Sequence, residues 1–248
     1  MSSQPEIRVL PTAAALFQAA ATEFVALTSD AVRTTGKFTV ALSGGSTPKS
    51  LYALLASGSI SNIPWDKTYF FFGDERHVPP DHPESNFRMA SEAMLSKVPV
   101  PAGNVFRIRA EEKDADAAAQ AYEQTLQKFF HLRPGEFPRF DLILLGLGPD
   151  GHTASLFPGN EALREENRLV VANWVEKFHA YRITLTLPVL NQAACVMFLV
   201  SGQDKASMVR EVLENSNADL PSQKVRPADG RLLWLLDRDA ASRLKRSM

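Results

Sequence analysis

The sequence predicts an α/β domain built on a mostly parallel sheet with helices on both faces. Three observations carry that expectation. Apolar, strand-like stretches alternate along the chain with helical patterns. Most of these stretches are apolar throughout rather than at every second residue, as in a sheet covered on both sides. Four of them run into polar turns containing glycine: SGGS at 43–46, GDERH at 73–77, GLGPDGH at 146–152 and SGQDK at 201–205.

Taken in order, residues 11–33 read as an amphipathic, alanine-rich helix with a proline at its start. KFTVALSGG (37–45) reads as a strand ending in glycines. TPKSLYALLAS (47–57) reads as a helix with Thr47 as N-cap and Pro48 in the first helical position. YFFFGDE (69–75) is a second buried strand, and the proline-rich HVPPDHPESN after it is a loop leading to a helix near 86–96. FRI (106–108) is expected as a short strand, 111–130 as a strong helix and FDLILLGLG as the next strand. LVVANWV (169–175), YRITLTLP (181–188) and ACVMFLVSG (194–202) are further strands. A helix over 204–215, a last strand RLLWLLD (231–237) and a last helix over 238–246 complete the chain. No repeat, linker or low-complexity segment divides it, so residues 1–248 read as one domain with a small excursion around 160–190.

Composition narrows the function. Hydrophobic residues make up 45% and charged residues 22% of the chain, a soluble globular balance. A net charge of -1 argues against nucleic acid, which calls for a basic excess or a basic face. No stretch approaches the roughly 18 apolar residues of a membrane span, and the N-terminus lacks a signal-peptide pattern. The expected location is the cytoplasm, with no membrane partner. The single cysteine, Cys195, excludes an internal disulfide and any zinc centre that needs two or four cysteines. It lies in ACVMFLV, where it reads as a small buried hydrophobe. Monomer and homodimer both stay open.

In an open parallel sheet the C-terminal strand ends share one edge, and ligands bind in the crevice there. The four polar turns therefore belong to one site. In SGGSTP, Ser43, Gly44, Gly45 and Ser46 precede a helix whose N-terminal amides and dipole suit an anion; the plainer reading is an ordinary strand–helix turn. It is not a Walker A loop, because Pro48 stands before Lys49 where that motif has glycine. Arg76 and Lys205, on two of the other turns, suit a phosphate or an oxyanion. Arg182 joins them only if its strand runs antiparallel to the rest. Asp74 and Glu75 are neighbours in an extended stretch, so one of the two faces the ligand, and which one stays open. His77, Asp81 and His82 suggest a metal, but prolines scatter them and a surface loop is the better reading; no metal is expected.

His152 is the natural general base near neutral pH, and Asp150 is placed to orient its ring or stabilise its protonated form. The alternative is a satisfied turn histidine. Its place on the ligand-bearing edge favours catalysis. Gly146, Gly148 and Gly151 also spell G-x-G-x-x-G. A dinucleotide site needs a helix after the third glycine and an acid about 20 residues further on. Glu176 is in range, but Pro149 lies inside the loop and Pro158-Gly159 interrupts the chain soon after it, so no nucleotide cofactor is expected.

Together SGGSTP, FFGDERHV, GLGPDGHTASLFPG and the later SG-x-x-K resemble the 6-phosphogluconolactonase family, in order and over nearly the whole chain. GPDGHTASLFP is the most specific of these elements. The resemblance implies a modified Rossmann-like fold related to glucosamine-6-phosphate deaminase. It implies hydrolysis of 6-phospho-D-glucono-1,5-lactone to 6-phosphogluconate in the pentose phosphate pathway, with no metal or cofactor. It places the family's catalytic histidine on His152, and the aspartate and arginine of its D-E-R motif on Asp74 and Arg76. The expected partner is then a small sugar phosphate, held at its phosphate by Gly44, Gly45, Ser46, Lys205 and, if it reaches, Arg182. Two rivals stand beside it. The deaminase relatives place an acid shortly after the motif histidine and carry a D-E-Y-like motif. Here no carboxylate follows His152 before Glu161, and Arg76 follows Asp74-Glu75. A non-catalytic sugar-phosphate sensor would be expected to bring a helix-turn-helix or a basic face. This chain is expected to open on its domain's first helix and is slightly acidic.

Overall fold

FTVAL, TYFFF, LILL and CVMFLV are buried almost throughout, and they form four adjacent parallel strands of one sheet. The structure, a computed structural model, describes residues 4–245. In chain order the elements are β1 (Glu6–Leu10), α1 (Ala13–Thr35), β2 (Phe38–Leu42), α2 (Ser46–Leu55), β3 (Thr68–Phe72), β4 (Asp74–Arg76) and α3 (Asn86–Ala90). They continue with α4 (Ala115–Phe130), β5 (Leu142–Leu145), β6 (Val170–Val175), β7 (Ala180–Leu185), α5 (Leu187–Gln192), β8 (Cys195–Val200), α6 (Ala206–Glu214) and β9 (Arg231–Asp237). The large sheet has the order β1-β9-β8-β5-β2-β3, and every neighbouring pair is parallel.

Helices cover both faces of this sheet. Phe38 and Val40 of β2 share a face with Phe70 and Phe72 of β3, and on that face Phe24 of α1 meets Phe38 edge-on at 5.3 Å. Tyr69 and Phe71 point the other way, and Phe129 of α4 packs on both, at 5.2 and 5.0 Å. Aromatic burial of this kind dominates core energetics. Further along, Phe198 of β8 stacks on Trp234 of β9 at 3.8 Å. Cys195, at the start of β8, is buried, and burial pushes its thiol up to about 11.

A second sheet, in the order β4-β7-β6, is antiparallel. The chain crosses into it at Gly73. The Gly73 N–H donates to Leu42 O at 2.8 Å in the large sheet, and Gly73 O accepts from Leu185 N–H at 2.9 Å in the small one.

Several expectations need correction. YFFFGDE is not one strand but two, divided at Gly73 between the sheets. The helix after SGG begins at Ser46 with Gly45 as N-cap, not with Thr47; Pro48 is its third residue, still in the first turn where its missing N–H costs nothing. Residues 106–108 form no strand, although Val105 makes an isolated bridge to Phe70. Residues 238–244 form turns and a bend rather than a last helix, and residue 246 lies outside the described residues. Strand β1 and helix α5 were not expected at all.

Candidate active site

The C-terminal ends of β2, β3, β5 and β8 open onto one cleft. Ser43, Gly44, Gly45, Ser46, Asp74, Arg76, His152 and Lys205 all line it. Asp150 and Arg182 do not. Each stands one contact behind a lining residue, Asp150 behind His152 and Arg182 behind Arg76.

Two buried tyrosines hold the strand ends. Tyr52 Oη of α2 accepts from Ser43 N–H at 2.9 Å and donates to Ser43 O at 2.9 Å. Tyr122 of α4 repeats the arrangement at Phe72, accepting at 2.8 Å and donating at 3.1 Å. Each hydroxyl thereby satisfies both backbone groups of a residue at or just past its strand's end. Burial pushes both phenols well above their ordinary value, so both stay protonated.

The first residues of α2 line the cleft. The Ser46 and Thr47 amides lie in the first turn, where helix geometry offers them no backbone acceptor. Gly44 must be glycine, because an added Cβ would lie 2.0 Å from the Asn86 side-chain oxygen. Lys205 lines the cleft from the turn after β8. Asp237 anchors that turn, accepting from Ser201 Oγ at 2.5 Å and from Gly202 N–H at 3.1 Å.

The turn after β5 brings His152 to the same cleft, with Asp150 behind it. Asp150 Oδ1 is hydrogen-bonded to His152 Nδ1 and also accepts from the His152 N–H at 3.3 Å. Its Oδ2 accepts from Lys177 Nζ at 3.3 Å. Burial pushes the Asp150 carboxyl up, but the His152 hydrogen bond and charge, with Lys177, outweigh it and hold the pKa low. The imidazole stacks on Phe157 at 4.2 Å. Gly148 makes room for it, since a Cβ there would fall 2.0 Å from the ring. The chain directly after Gly151 is not helical; Thr153 and Leu156 close a tight bridged turn, which differs from the strand–turn–helix of a dinucleotide fingerprint.

The small sheet presents its polar face to the cleft. Asp74 sits opposite Thr184, and Arg76 opposite Arg182 and then Asn173. Asp74 Oδ2 accepts from Ser155 Oγ at 2.7 Å, and Oδ1 from Asn86 Nδ2 at 3.3 Å. Arg76 donates to Glu84 O at 2.6 Å. Arg182 is buried over the Phe178 ring at 5.1 Å, and its burial and the Arg76 charge press its pKa down. Glu75 points away from the cleft. It accepts from the N–H groups of Arg76, Asn86 and Phe87 and from Ser85 Oγ, at 2.7 to 3.0 Å, and so ties down the start of α3. Burial raises its carboxyl while these amides oppose the rise. In the 77–86 loop, His77 Nε2 pairs with Glu112 O at 2.7 Å and His82 Nδ1 accepts from Glu84 N–H at 3.2 Å.

Sequence reasoning missed Asn86, Ser155, Phe157, Lys177 and the two tyrosines. Ser155 and Phe157 lie inside GPDGHTASLFP and were within reach of a motif reading. The others carry no signal in the sequence, because their roles exist only as distances.

Residues 11–234 match the family of glucosamine-6-phosphate isomerases and 6-phosphogluconolactonases. A 6-phosphogluconolactonase of a Nostoc strain is 44% identical over 240 residues, covering 96% of this chain and 98% of the relative. The solved 6-phosphogluconolactonase from Trypanosoma brucei has a TM-score of 0.88 at 32% identity, covering 98% of this chain and all of that one. A monomeric glucosamine-6-phosphate deaminase shares the fold with a TM-score of 0.79 at 22% identity, over 96% of this chain and 99% of that one. The chain belongs to the glucosamine-6-phosphate isomerase/6-phosphogluconolactonase family.

Proposed function

We propose that this cleft hydrolyses 6-phospho-D-glucono-1,5-lactone to 6-phospho-D-gluconate, with His152 as the general base. The observation that carries the reading is the placement of His152. Asp150 engages Nδ1, which leaves Nε2 for the cleft that also holds the first-turn amides of α2 and Lys205. Anion-binding groups and a base in one cleft suit a substrate with phosphate at one terminus and an ester at the other.

The phosphate sits on the Ser46 and Thr47 amides and Lys205. With Nδ1–H donated to Asp150, Nε2 carries the lone pair and takes a proton from water. The oxygen of that water attacks the lactone carbonyl, and Arg76 stabilises the oxyanion that forms. Collapse breaks the bond to the ring oxygen, which receives the proton held on Nε2. Asp74, fixed by Ser155 and Asn86, is left as an acceptor for sugar hydroxyls. A positioned base contributes roughly 100- to 10,000-fold, and the oxyanion contact adds to that.

The deaminase alternative lacks its acid. Glu161, the first carboxylate after His152, lines a different cavity with Trp174 and Tyr181. Asp74 is the one carboxylate among the described residues of the cleft wall. The deciding assay compares lactone hydrolysis, corrected for the spontaneous reaction, with ammonia release from glucosamine 6-phosphate. Hydrolysis without ammonia is expected. Ammonia at an equal or greater rate would overturn the assignment.

A further inference from the structure

We infer that Lys177, at the tip of the β6–β7 hairpin, is a positioning residue that acts on His152 through Asp150. The inference rests on the reading of His152 as base. The turn 176–179 joins the two strands and closes on His179 in the left-handed region, at φ 45. It reaches the catalytic loop by two routes. Lys177 Nζ donates to Asp150 Oδ2 at 3.3 Å, while Asp150 Oδ1 holds His152 Nδ1. Phe178 meets Phe157 edge-on at 6.0 Å, and Phe157 stacks on the His152 ring.

An exposed lysine–carboxylate pair ordinarily contributes little. This one differs in what its carboxylate does. Asp150 has one oxygen committed to the imidazole, so whatever fixes the other oxygen fixes the plane of the carboxylate and with it the ring. Lys177 is itself held, its Nζ lying 5.4 Å from the centre of the Phe178 ring. Its charge also bears on the imidazolium formed during turnover. The charged groups gathered around His152 are Asp150 on its own loop, Lys177 on the hairpin, Asp74 and Arg76 on β4 with Arg182 behind them, and Lys205 after β8. Lys177 is the one of these that touches Asp150 rather than the cleft. Removing its positive charge leaves Asp150 to favour the imidazolium unopposed, so the base is lost to protonation at a higher pH.

The test is the pH profile of kcat for lactone hydrolysis in wild type, Lys177→Met and Lys177→Arg. Lys177 is 53% exposed, so neither change threatens the fold, and thermal melting checks this. In Lys177→Met the acidic limb should move up by roughly half a pH unit, and the plateau should fall about three- to tenfold. Lys177→Arg should restore both. In an Asp150→Asn background Lys177→Met should cause no further fall of the plateau, because its contact route to His152 is already cut. A Lys177→Met enzyme with wild-type limb and plateau would overturn the inference while leaving His152 as base. Full activity in His152→Ala would instead overturn the mechanism beneath it.

Discussion

The large sheet meets the cleft with turns, and the small sheet meets it with side chains. From β2, β5 and β8 come glycines, first-turn amides, one imidazole and one lysine, each set at the end of a buried apolar strand. From β4 and β7 come Asp74, Arg76 and Arg182, on the polar face of three short antiparallel strands. The two meet at Gly73, where the chain leaves one sheet for the other. The parallel sheet therefore lines the cleft with backbone turns, and the smaller antiparallel sheet adds charged side chains to it.

That division separates the roles proposed for Arg76 and Lys205. Arg76→Ala, on the small sheet, should lower kcat by roughly 100- to 1,000-fold with little change in KM, as for loss of an oxyanion donor. Lys205→Ala, on the large one, should mainly raise KM, by about tenfold. Steady-state kinetics on the lactone checks both, and exchanged effects would mean that phosphate and ester lie the other way round. Between these two in size is Gly148→Ala. Its Cβ would lie 2.0 Å from the His152 ring, so the imidazole must move, and kcat should fall about 100-fold while the melting temperature stays near wild type.

The paired tyrosines give a smaller contrast. Tyr52→Phe and Tyr122→Phe each leave a buried N–H and C=O unpaired, and each should cost about 1–3 kcal/mol in denaturant unfolding. Only Tyr52→Phe should also raise KM, because Ser43 leads into the anion loop. The smallest effect is on acid stability. The folded pKa of Asp150 is held below its unfolded value, chiefly by His152. Its stabilisation is therefore complete above about pH 5 and is lost as pH falls through the folded value. Asp150→Asn should flatten the acid side of a melting-temperature profile.

The large sheet was legible because its strands are unbroken apolar runs that stop in glycine, as in LILLGLG. Of the small sheet, β6 and β7 were legible as strands but β4 was not. The run YFFFGDE looks continuous, and only Gly73 bonding to both sheets shows where it divides. β1 escaped because EIRVL alternates at an edge, with Glu6 and Arg8 paired to each other and Ile7 and Val9 exposed. α5 escaped because TLTLP continues a strand pattern into a helix whose second residue is Pro188. Within the site, the residues at strand ends could be named from the sequence. Asn86 and Lys177 could not, because each acts by reaching across from another element.

Turnover of 6-phosphogluconolactone by His152→Ala, with spontaneous hydrolysis subtracted, asks most simply whether the turn after β5 carries the chemistry. A loss of roughly 100- to 10,000-fold in kcat with a folded protein and a KM near wild type is the expected result. A variant that retained near-normal kcat would remove His152 from the mechanism and leave the G-x-G-x-x-G-H turn a structural feature.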